Sequence, residues 1–326
     1  MKTFVTGANG FVGKALIQRL LSELYEVKAL VRQSSETLPM AVEQVIVGNL
    51  ADLTLSDNSC LSRRHFKDVD VVVHTAARVH HINDGVFNPL TEYRKVNRDA
   101  TLALARLAAA SGVKRFIFLS SIKVNGELTG PSQSFTPDDV HIPDDPYGLS
   151  KYEAEQGLLA LTLETKMDVV IIRPPLVYGP GVKGNFASMM KWMNRPLPLP
   201  FGAINNQRSL IALDNLVSFI CLCVDLEKSS NASNQVFLIC DGKDVSTTLL
   251  LKKVRQALKL HSSNDAKAWL LPVPVCIMTP LAKILGKGDI ANRLFGSLKV
   301  DSSKAHDLLD WTADVDIDEQ LAKMYE

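Results

Sequence analysis

The feature that most constrains this chain is a glycine-rich turn that begins at its seventh residue. The segment Lys2 to Thr6 has the apolar character of a strand, and a helix pattern runs from Gly10 to Leu24. Between them, the spacing G-x-x-G-x-x-G lets the backbone turn sharply and approach a pyrophosphate, whose charge is met by amides at the helix N-terminus. This arrangement predicts a dinucleotide site. Its candidate contacts are Gly7, Asn9, Gly10, Phe11, Val12 and Gly13.

Strand-like and helix-like segments alternate through the first half of the chain. The further strand candidates are 26–32, 45–47, 69–74, 115–120 and 168–172, and long helices are expected over 91–111 and 146–165. Short apolar strands without polar alternation indicate burial on both faces, as in a parallel sheet covered by helices. The predicted fold is therefore α/β, a Rossmann-type doubly wound parallel sheet with a smaller C-terminal substrate-binding domain.

The composition of the sequence changes after Arg173, where proline and glycine become frequent. Such a composition predicts loops, and a substrate-binding region is expected to consist of loops that extend from the sheet. We predict a cofactor-binding and catalytic domain over 1–175 and a mainly substrate-binding domain over 176–326. Segments 215–224 and 235–240 are expected to return to the first domain.

Charge and cysteine usage exclude several classes of protein. The 36 basic and 35 acidic residues give a net charge of +1, which provides no electrostatic footprint for nucleic acid. Uncharged stretches are too short or too rich in proline to span a membrane. Five scattered cysteines predict neither a disulfide framework nor a metal site. We expect a soluble cytoplasmic protein without a metal.

The end of the second strand bears on the choice of cofactor. An acidic residue there would bind the adenosine ribose of NAD, but the strand ends at Arg32. A guanidinium suits the 2′-phosphate of NADP, so NADP is favoured over NAD, although an exposed arginine starting a loop is the alternative. Asn49 and Leu50 follow the third strand, where adenine would lie.

A tyrosine and a lysine are four residues apart on the helix predicted over 146–165. This spacing places Tyr147 and Lys151 on one face, where the ammonium stabilises a phenolate. Upstream, Ser120 and Ser121 end a strand at the edge of the sheet that would face a cofactor, and a hydroxyl there can hydrogen-bond a reacting oxygen. Taken alone, each pattern is also common on surfaces and in turns.

Four motifs in order resemble the extended short-chain dehydrogenase/reductase family. They are T-G-x-x-G-F-x-G from Thr6, L-S-S-x-x-V-x-G from Leu119, Y-x-x-x-K from Tyr147 and R-P-x-x-V-Y-G-P-G from Arg173. The chain is most similar to the nucleotide-sugar branch of UDP-glucose 4-epimerases and 4-keto-hexose reductases. Two sequence segments, which begin at Ser120 and at Gly181, are similar to those of a bacterial surface-polysaccharide subgroup. This subgroup includes enzymes making UDP-N-acetylquinovosamine.

The resemblance implies roles for individual residues. Ser121 would be the catalytic serine, Tyr147 the acid/base, and Lys151 the residue that holds the nicotinamide ribose. Further cofactor contacts would be Ala76, Asn97, Ser120 and Pro174. On the substrate side, the candidates are Lys123, Asn185, Arg208 and Arg293, with Asn185 beside the diphosphate and Arg208 meeting the pyrophosphate. A 4,6-dehydratase would need an Asp-Glu pair where this chain has Ile122 and Lys123.

The resulting hypothesis is hydride transfer at C4 of a UDP-hexose. Arg32 favours a 4-reductase acting on a UDP-4-keto-6-deoxy-HexNAc, with a UDP-glucose or UDP-GlcNAc 4-epimerase as the alternative. A non-catalytic NAD(P)-sensing protein is a distant third possibility, because such proteins typically lose the tyrosine or the lysine. A homodimer is expected, with the helix from Thr91 and the helix of Tyr147 forming its seam.

Overall fold

The fold is built on strands and helices that alternate along the chain. A computed structural model describes residues 1–53, 61–79, 88–139, 141–261, 269–284, 286 and 288–325. The first elements are β1 (Lys2–Thr6), α1 (Phe11–Ser22), β2 (Glu26–Val31), β3 (Glu43–Ile46), β4 (Val71–His74), α2 (Pro89–Tyr93), α3 (Ala100–Ala110), β5 (Arg115–Leu119), α4 (Pro146–Glu164) and β6 (Asp168–Arg173). They are followed by β7 (Leu176–Tyr178), α5 (Gly184–Met193), β8 (Pro198–Leu199), β9 (Leu210–Ala212), α6 (Leu213–Val224), β10 (Gln235–Leu238), α7 (Thr247–His261), β11 (Trp269–Leu270), α8 (Val275–Ile284), α9 (Gly288–Phe295), α10 (Ser303–Leu309) and α11 (Ile317–Ala322).

Seven strands form one parallel sheet in the order β10-β6-β5-β4-β1-β2-β3. Its first six strands in sequence follow the order of a dinucleotide-binding sheet, so the predicted doubly wound α/β fold is confirmed. The strand order reverses between β1 and β4, where Thr6 pairs with His74. In such sheets, ligands bind beyond the carboxyl ends of the strands at this reversal.

The sheet is buried on both faces, which explains its apolar strands without polar alternation. One face packs against α1 and α6, around Leu16, Ile220 and Phe237. The other face packs against α3 and α4, around Leu104 and Leu158. Helix α6 packs against α1 and β5, and β10 pairs with β6.

The helix expected over 91–111 is not a single α-helix. Between α2 and α3, residues Arg94–Asp99 form a π-helical segment. A π segment rotates the residues that follow it relative to an ideal helix, and such bulges are frequent at functional sites. Asn97 lies within it and is fully buried. The hydrophobic periodicity could not reveal this local change of helix type.

Candidate active site

The glycine turn lies directly against the end of β4. Gly7 has a φ of +72°, and a Cβ atom there would lie only 2.6–2.9 Å from Thr75 and Ala76. A Cβ atom on Gly13 would collide with the carbonyl oxygen of Gly7. The amide of Gly10 closes the turn by donating to the same oxygen over 2.7 Å. Side chains are therefore excluded at Gly7 and Gly13, in the turn that a pyrophosphate would have to approach.

Helix α1 begins with backbone amides that no side chain caps. Gly10 is its N-cap residue, and its first turn holds no acidic residue. The first two side chains of the helix, Phe11 and Val12, pack against the core instead. The helix dipole and the uncapped amides favour an anion at this end. The predicted cofactor contacts thus fit the diphosphate of a dinucleotide.

A polar cluster lies where β2 leads into its loop. Arg32 is exposed directly after the strand. The side-chain oxygen of Asn9 accepts hydrogen bonds from the hydroxyls of Ser35 (2.9 Å) and Thr37 (3.4 Å). These hydroxyls were missed in the sequence analysis, which considered only the residue at the strand tip. They connect the glycine turn to the loop expected to meet the adenosine ribose.

Two other predicted cofactor contacts follow β3 and β4. Asn49 caps a 3₁₀ turn over Leu50–Asp52, because its side-chain oxygen accepts from the amide of Ala51 over 3.3 Å. The Leu50 side chain is buried. The amide of Ala76 donates to the hydroxyl of Thr6 over 3.3 Å. Both segments border the same carboxyl edge of the sheet as the glycine turn.

Ser121 and Tyr147 meet at the end of β5. Ser121 caps the 3₁₀ turn Ile122–Val124, and its hydroxyl is near enough to the phenol of Tyr147 to act on the pKa of that group. Tyr147 is the second residue of α4, whose start is fixed by Pro146 and by the Asp145 carboxylate, which accepts from the amide of Gly148. Desolvation raises the pKa of the phenol to about 12, and the hydroxyl of Ser121 opposes this shift. The geometry is that of a phenol and a hydroxyl able to share one substrate oxygen.

Lys151 lies one turn further along α4 and is almost completely buried. Its ammonium donates to the carbonyl oxygen of Leu119 over 2.8 Å and lies 4.4 Å from the centroid of the Phe118 ring. Burial lowers the pKa of this ammonium to about 7, and the nearby carboxylate of Glu155 opposes the shift. A buried lysine with such a pKa is typical of functional sites.

Asn97 connects the loop after β4 to the helix of Tyr147. Its side-chain oxygen accepts from the amide of Arg78 over 2.8 Å, and its amide group donates to the carbonyl of Arg78 (3.1 Å) and to the hydroxyl of Ser150 (3.0 Å). The side chain is therefore a buried bridge between two walls of the predicted cofactor site. It is neither exposed nor a helix cap.

Ser120 points into the protein rather than along the cofactor cleft. Its hydroxyl donates a short hydrogen bond to Glu155, a fully buried carboxylate that also pairs with Arg173. The carbonyl of Pro174, the residue after β6, accepts from the amide of Ile122 over 3.0 Å. Glu155 was missed in the sequence analysis. Its position four residues after Lys151 on the buried face of α4 was the available signal.

Three of the four predicted substrate contacts gather around Glu127. Its carboxylate lies 2.8 Å from the ammonium of Lys123 and 3.7 Å from the guanidinium of Arg293, and its charge also acts on Arg208. Burial lowers the pKa of Arg208, which donates to the carbonyl of Gly296 over 3.1 Å. Such a cluster of cations can bind a diphosphate. Asn185 lies in the first turn of α5, and its side chain is outside the described part of the structure.

A family model and a bacterial relative resemble this chain over most of its length. Residues 3–240 match the model of the NAD dependent epimerase/dehydratase family. The chain is 46% identical over 309 residues to a UDP-glucose 4-epimerase of Vibrio cholerae, covering 94% of this chain and 89% of the relative. This chain belongs to the NAD-dependent epimerase/dehydratase family. It is an enzyme of the extended short-chain dehydrogenase/reductase class, as the sequence motifs predicted.

Solved structures of two sugar-nucleotide epimerases have a similar fold. A UDP-glucuronic acid 4-epimerase from Bacillus cereus in complex with NAD superposes with a TM-score of 0.73 at 23% identity, covering 100% of this chain and 97% of that one. A UDP-glucose 4-epimerase from Thermotoga maritima with UDP-glucose gives 0.73 at 24% identity, with the same coverage. The family's description names NAD, so the predicted preference for NADP gains no support here. Within the described ranges, the helices lack the length and apolar character needed to cross a bilayer.

Proposed function

We propose that this enzyme transfers hydride at C4 of a UDP-hexose and that its reaction is 4-epimerisation. The observation that carries the proposal is the arrangement of Ser121, Tyr147 and Lys151 around the end of β5, at the same carboxyl edge of the sheet as the glycine turn, in a chain 46% identical to a UDP-glucose 4-epimerase. This conclusion reverses the order of the two hypotheses drawn from the sequence. The relative favours the epimerase, whereas Arg32 and the resemblance to enzymes making UDP-N-acetylquinovosamine favoured the reductase.

In the proposed reaction, Tyr147 takes the proton of the C4 hydroxyl and later returns it. A dinucleotide held at the glycine turn would supply the nicotinamide that accepts the hydride from C4 and donates it back. Ser121 holds the same oxygen through its hydroxyl and stabilises the negative charge that develops there. Desolvation raises the pKa of Tyr147, so the proposed reaction needs a positive charge that favours the phenolate, and Lys151, one turn further along the same helix, would supply it. The buried side chains around these groups keep water away from the keto intermediate.

The cationic cluster of Lys123, Arg208 and Arg293 would bind the UDP diphosphate. Two of these residues follow β6 in sequence, in keeping with our proposal that 1–175 bind the cofactor and 176–326 mainly the substrate. Lys123 belongs instead to the turn that begins at Ser121. This position would link the diphosphate to the catalytic serine. An ion pair between Lys123 and Asp145 connects the same turn to the start of α4.

A 4-keto reductase is the second candidate, favoured by the exposed Arg32 after β2. Purified protein should be incubated with UDP-glucose, UDP-GlcNAc and a UDP-4-keto-6-deoxy-HexNAc, each without cofactor, with NAD and with NADPH. The epimerase converts UDP-glucose to UDP-galactose, seen by NMR, without net consumption of cofactor. Stoichiometric oxidation of NADPH with the keto-sugar, and no epimerisation, would contradict our proposal and establish the reductase. The predicted homodimer is tested by light scattering on the same preparation.

A further inference from the structure

We propose that Glu155 is a positioning residue that fixes Lys151 and the Ser121 turn relative to each other through a buried hydrogen-bonded network. The network consists of Ser120, Asn125, Glu155 and Arg173. The inference deepens the proposed function, since it concerns the geometry of the same catalytic groups.

Glu155 follows Lys151 by one turn of α4, just as Lys151 follows Tyr147. This i, i+4, i+8 spacing places all three side chains along one face of the helix. The carboxylate of Glu155 is completely buried, as is almost all of Lys151. A buried charge is costly unless it is paired and fully hydrogen-bonded. The hydrogen-bond and ion-pair partners of Glu155 must therefore offset the cost of burying its charge.

Two elements of the sheet supply those partners. The guanidinium of Arg173, at the end of β6, grips the carboxylate with Nε at 3.1 Å from each oxygen and with its terminal nitrogen at 2.6 Å. The hydroxyl of Ser120, at the end of β5, donates to the same carboxylate. The two strands are neighbours in the sheet. Glu155 thus joins α4 to the ends of both strands.

The network also reaches the turn that carries the catalytic serine. A second terminal nitrogen of Arg173 donates to the side-chain oxygen of Asn125 over 3.0 Å. Asn125 ends the 3₁₀ turn that Ser121 begins. At the start of this turn, the amide of Ser120 donates to Ile172 over 2.8 Å. The Ser121 turn is therefore held at both ends by groups connected to β6.

Charge is the second way in which Glu155 acts on Lys151. Glu155 on its own helix acts on the ammonium, and the ammonium in turn acts on His74 on β4. His74 is neutral, because burial lowers its pKa to about 3, and it is held between the hydroxyls of Thr6 and Thr101. Tyr147 lies one turn before the lysine, and Arg173 neutralises part of the charge of Glu155. Glu155 thus favours the charged ammonium against desolvation, together with the carbonyl of Leu119 and the ring of Phe118.

Four variants separate positioning from simple stabilisation. Glu155→Gln removes the charge, and the double variant Glu155→Gln/Arg173→Met also removes the guanidinium that would otherwise be left unpaired. Ser120→Ala is a milder change that keeps the ion pair. Glu153→Gln is the matched control on the same helix, since Glu153 pairs with Arg94 and Arg98 at the surface.

Two measurements are made on each variant that folds. The first is kcat and KM for UDP-glucose across pH. The second is the ¹³Cε chemical-shift titration of Lys151, assigned by comparison with Lys151→Arg and recorded without substrate. We expect kcat to fall by about 10- to 100-fold in both Glu155 variants, as misplacement of reacting groups does, with KM changed less than about threefold. The Lys151 titration should move to lower pH in both, and Ser120→Ala should lower kcat by a smaller factor.

The proposal is overturned if the variants lose thermal stability while kcat and the Lys151 titration stay at the wild-type values. It is equally overturned if Glu153→Gln lowers kcat as much as Glu155→Gln. Should both Glu155 variants fail to fold, an unchanged kcat in Ser120→Ala decides against positioning and a reduced kcat decides for it. If the wild-type enzyme turns over no UDP-hexose, the proposed function fails, while the Lys151 titration still tests the role of Glu155.

Discussion

The ammonium of Lys151 donates a hydrogen bond of 2.8 Å to the carbonyl oxygen of Leu119, the last residue of β5. This contact joins the middle of α4 to the strand that leads into the Ser121 turn. It also takes a charged group out of water, and burial lowers the pKa of Lys151 to about 7. The free energy of unfolding should therefore change with pH above about pH 7, where the folded protein loses the proton of Lys151.

The Lys151→Met variant should gain stability over the wild type at low pH and lose that advantage as pH rises. In unfolded protein, lysine binds its proton up to about pH 10.4. Between about pH 7 and that value, the unfolded chain binds a proton that the folded protein lacks, so the cost of burying Lys151 falls by up to about 1.4 kcal/mol per pH unit. Urea unfolding at pH 6.5, 8 and 9.5 measures this difference. A constant difference between the two proteins would contradict the lowered pKa.

Tyr147→Phe should abolish most turnover while leaving binding intact. The substitution removes only the phenolic hydroxyl and keeps the ring, and general acid-base catalysis is typically worth about 10²- to 10⁴-fold. We expect a fall in kcat of this size, with the NADH dissociation constant within threefold of the wild type by fluorescence titration. Tyr152→Phe on the same helix is the control and should keep the wild-type kcat. Unchanged kcat in Tyr147→Phe would refute its role as the acid/base.

Gly13→Ala should prevent dinucleotide binding. A Cβ atom at this position collides with the carbonyl oxygen of Gly7, so the turn must open or α1 must shift. We expect NADH affinity to fall by more than about 100-fold, or about 2.7 kcal/mol. Gly288→Ala serves as the control, because the nearest atom to its Cβ would be 3.7 Å away. Wild-type affinity in Gly13→Ala would show that the glycine turn does not hold the cofactor.

The sequence predicted correctly those features of the fold whose signals lie in residues adjacent along the chain. The strand Lys2–Thr6 and the doubly wound parallel sheet were predicted from apolar runs and from the glycine turn, because these signals lie in neighbouring residues. The π-helical segment around Asn97 and the inward hydroxyl of Ser120 could not be predicted in this way. Both depend on partners that are 53 and 35 residues away in the chain and are brought together only by packing.

Glu127 shows the same limit on the substrate side. The family resemblance singled out Lys123, Arg208 and Arg293 but not the carboxylate around which they gather. An acidic residue is not a usual diphosphate ligand, so its type gave no signal. Its importance comes from the residues that surround it in space.

Arg32→Asp tests the cofactor preference predicted from the end of β2. The substitution replaces a possible partner of the NADP 2′-phosphate with a group that repels it. We expect affinity for NADPH to fall by at least about tenfold, or about 1.4 kcal/mol, while affinity for NADH changes less than threefold. Arg64→Asp, also an exposed arginine, is the control. An equal loss of affinity for NADPH and NADH would show that Arg32 does not contact the 2′-phosphate.

Arg208→Met should weaken substrate binding more than catalysis. The guanidinium is partly buried and already held by the carbonyl of Gly296, so it is oriented before a diphosphate arrives. A charge-assisted bidentate contact is worth more than a neutral hydrogen bond, and its loss should raise KM for UDP-glucose by at least about tenfold with kcat within threefold. Arg195→Met, at an exposed position, controls for the loss of a positive charge. A comparable rise in KM for both variants would indicate general electrostatic attraction, and an unchanged KM in Arg208→Met would remove Arg208 from the diphosphate site.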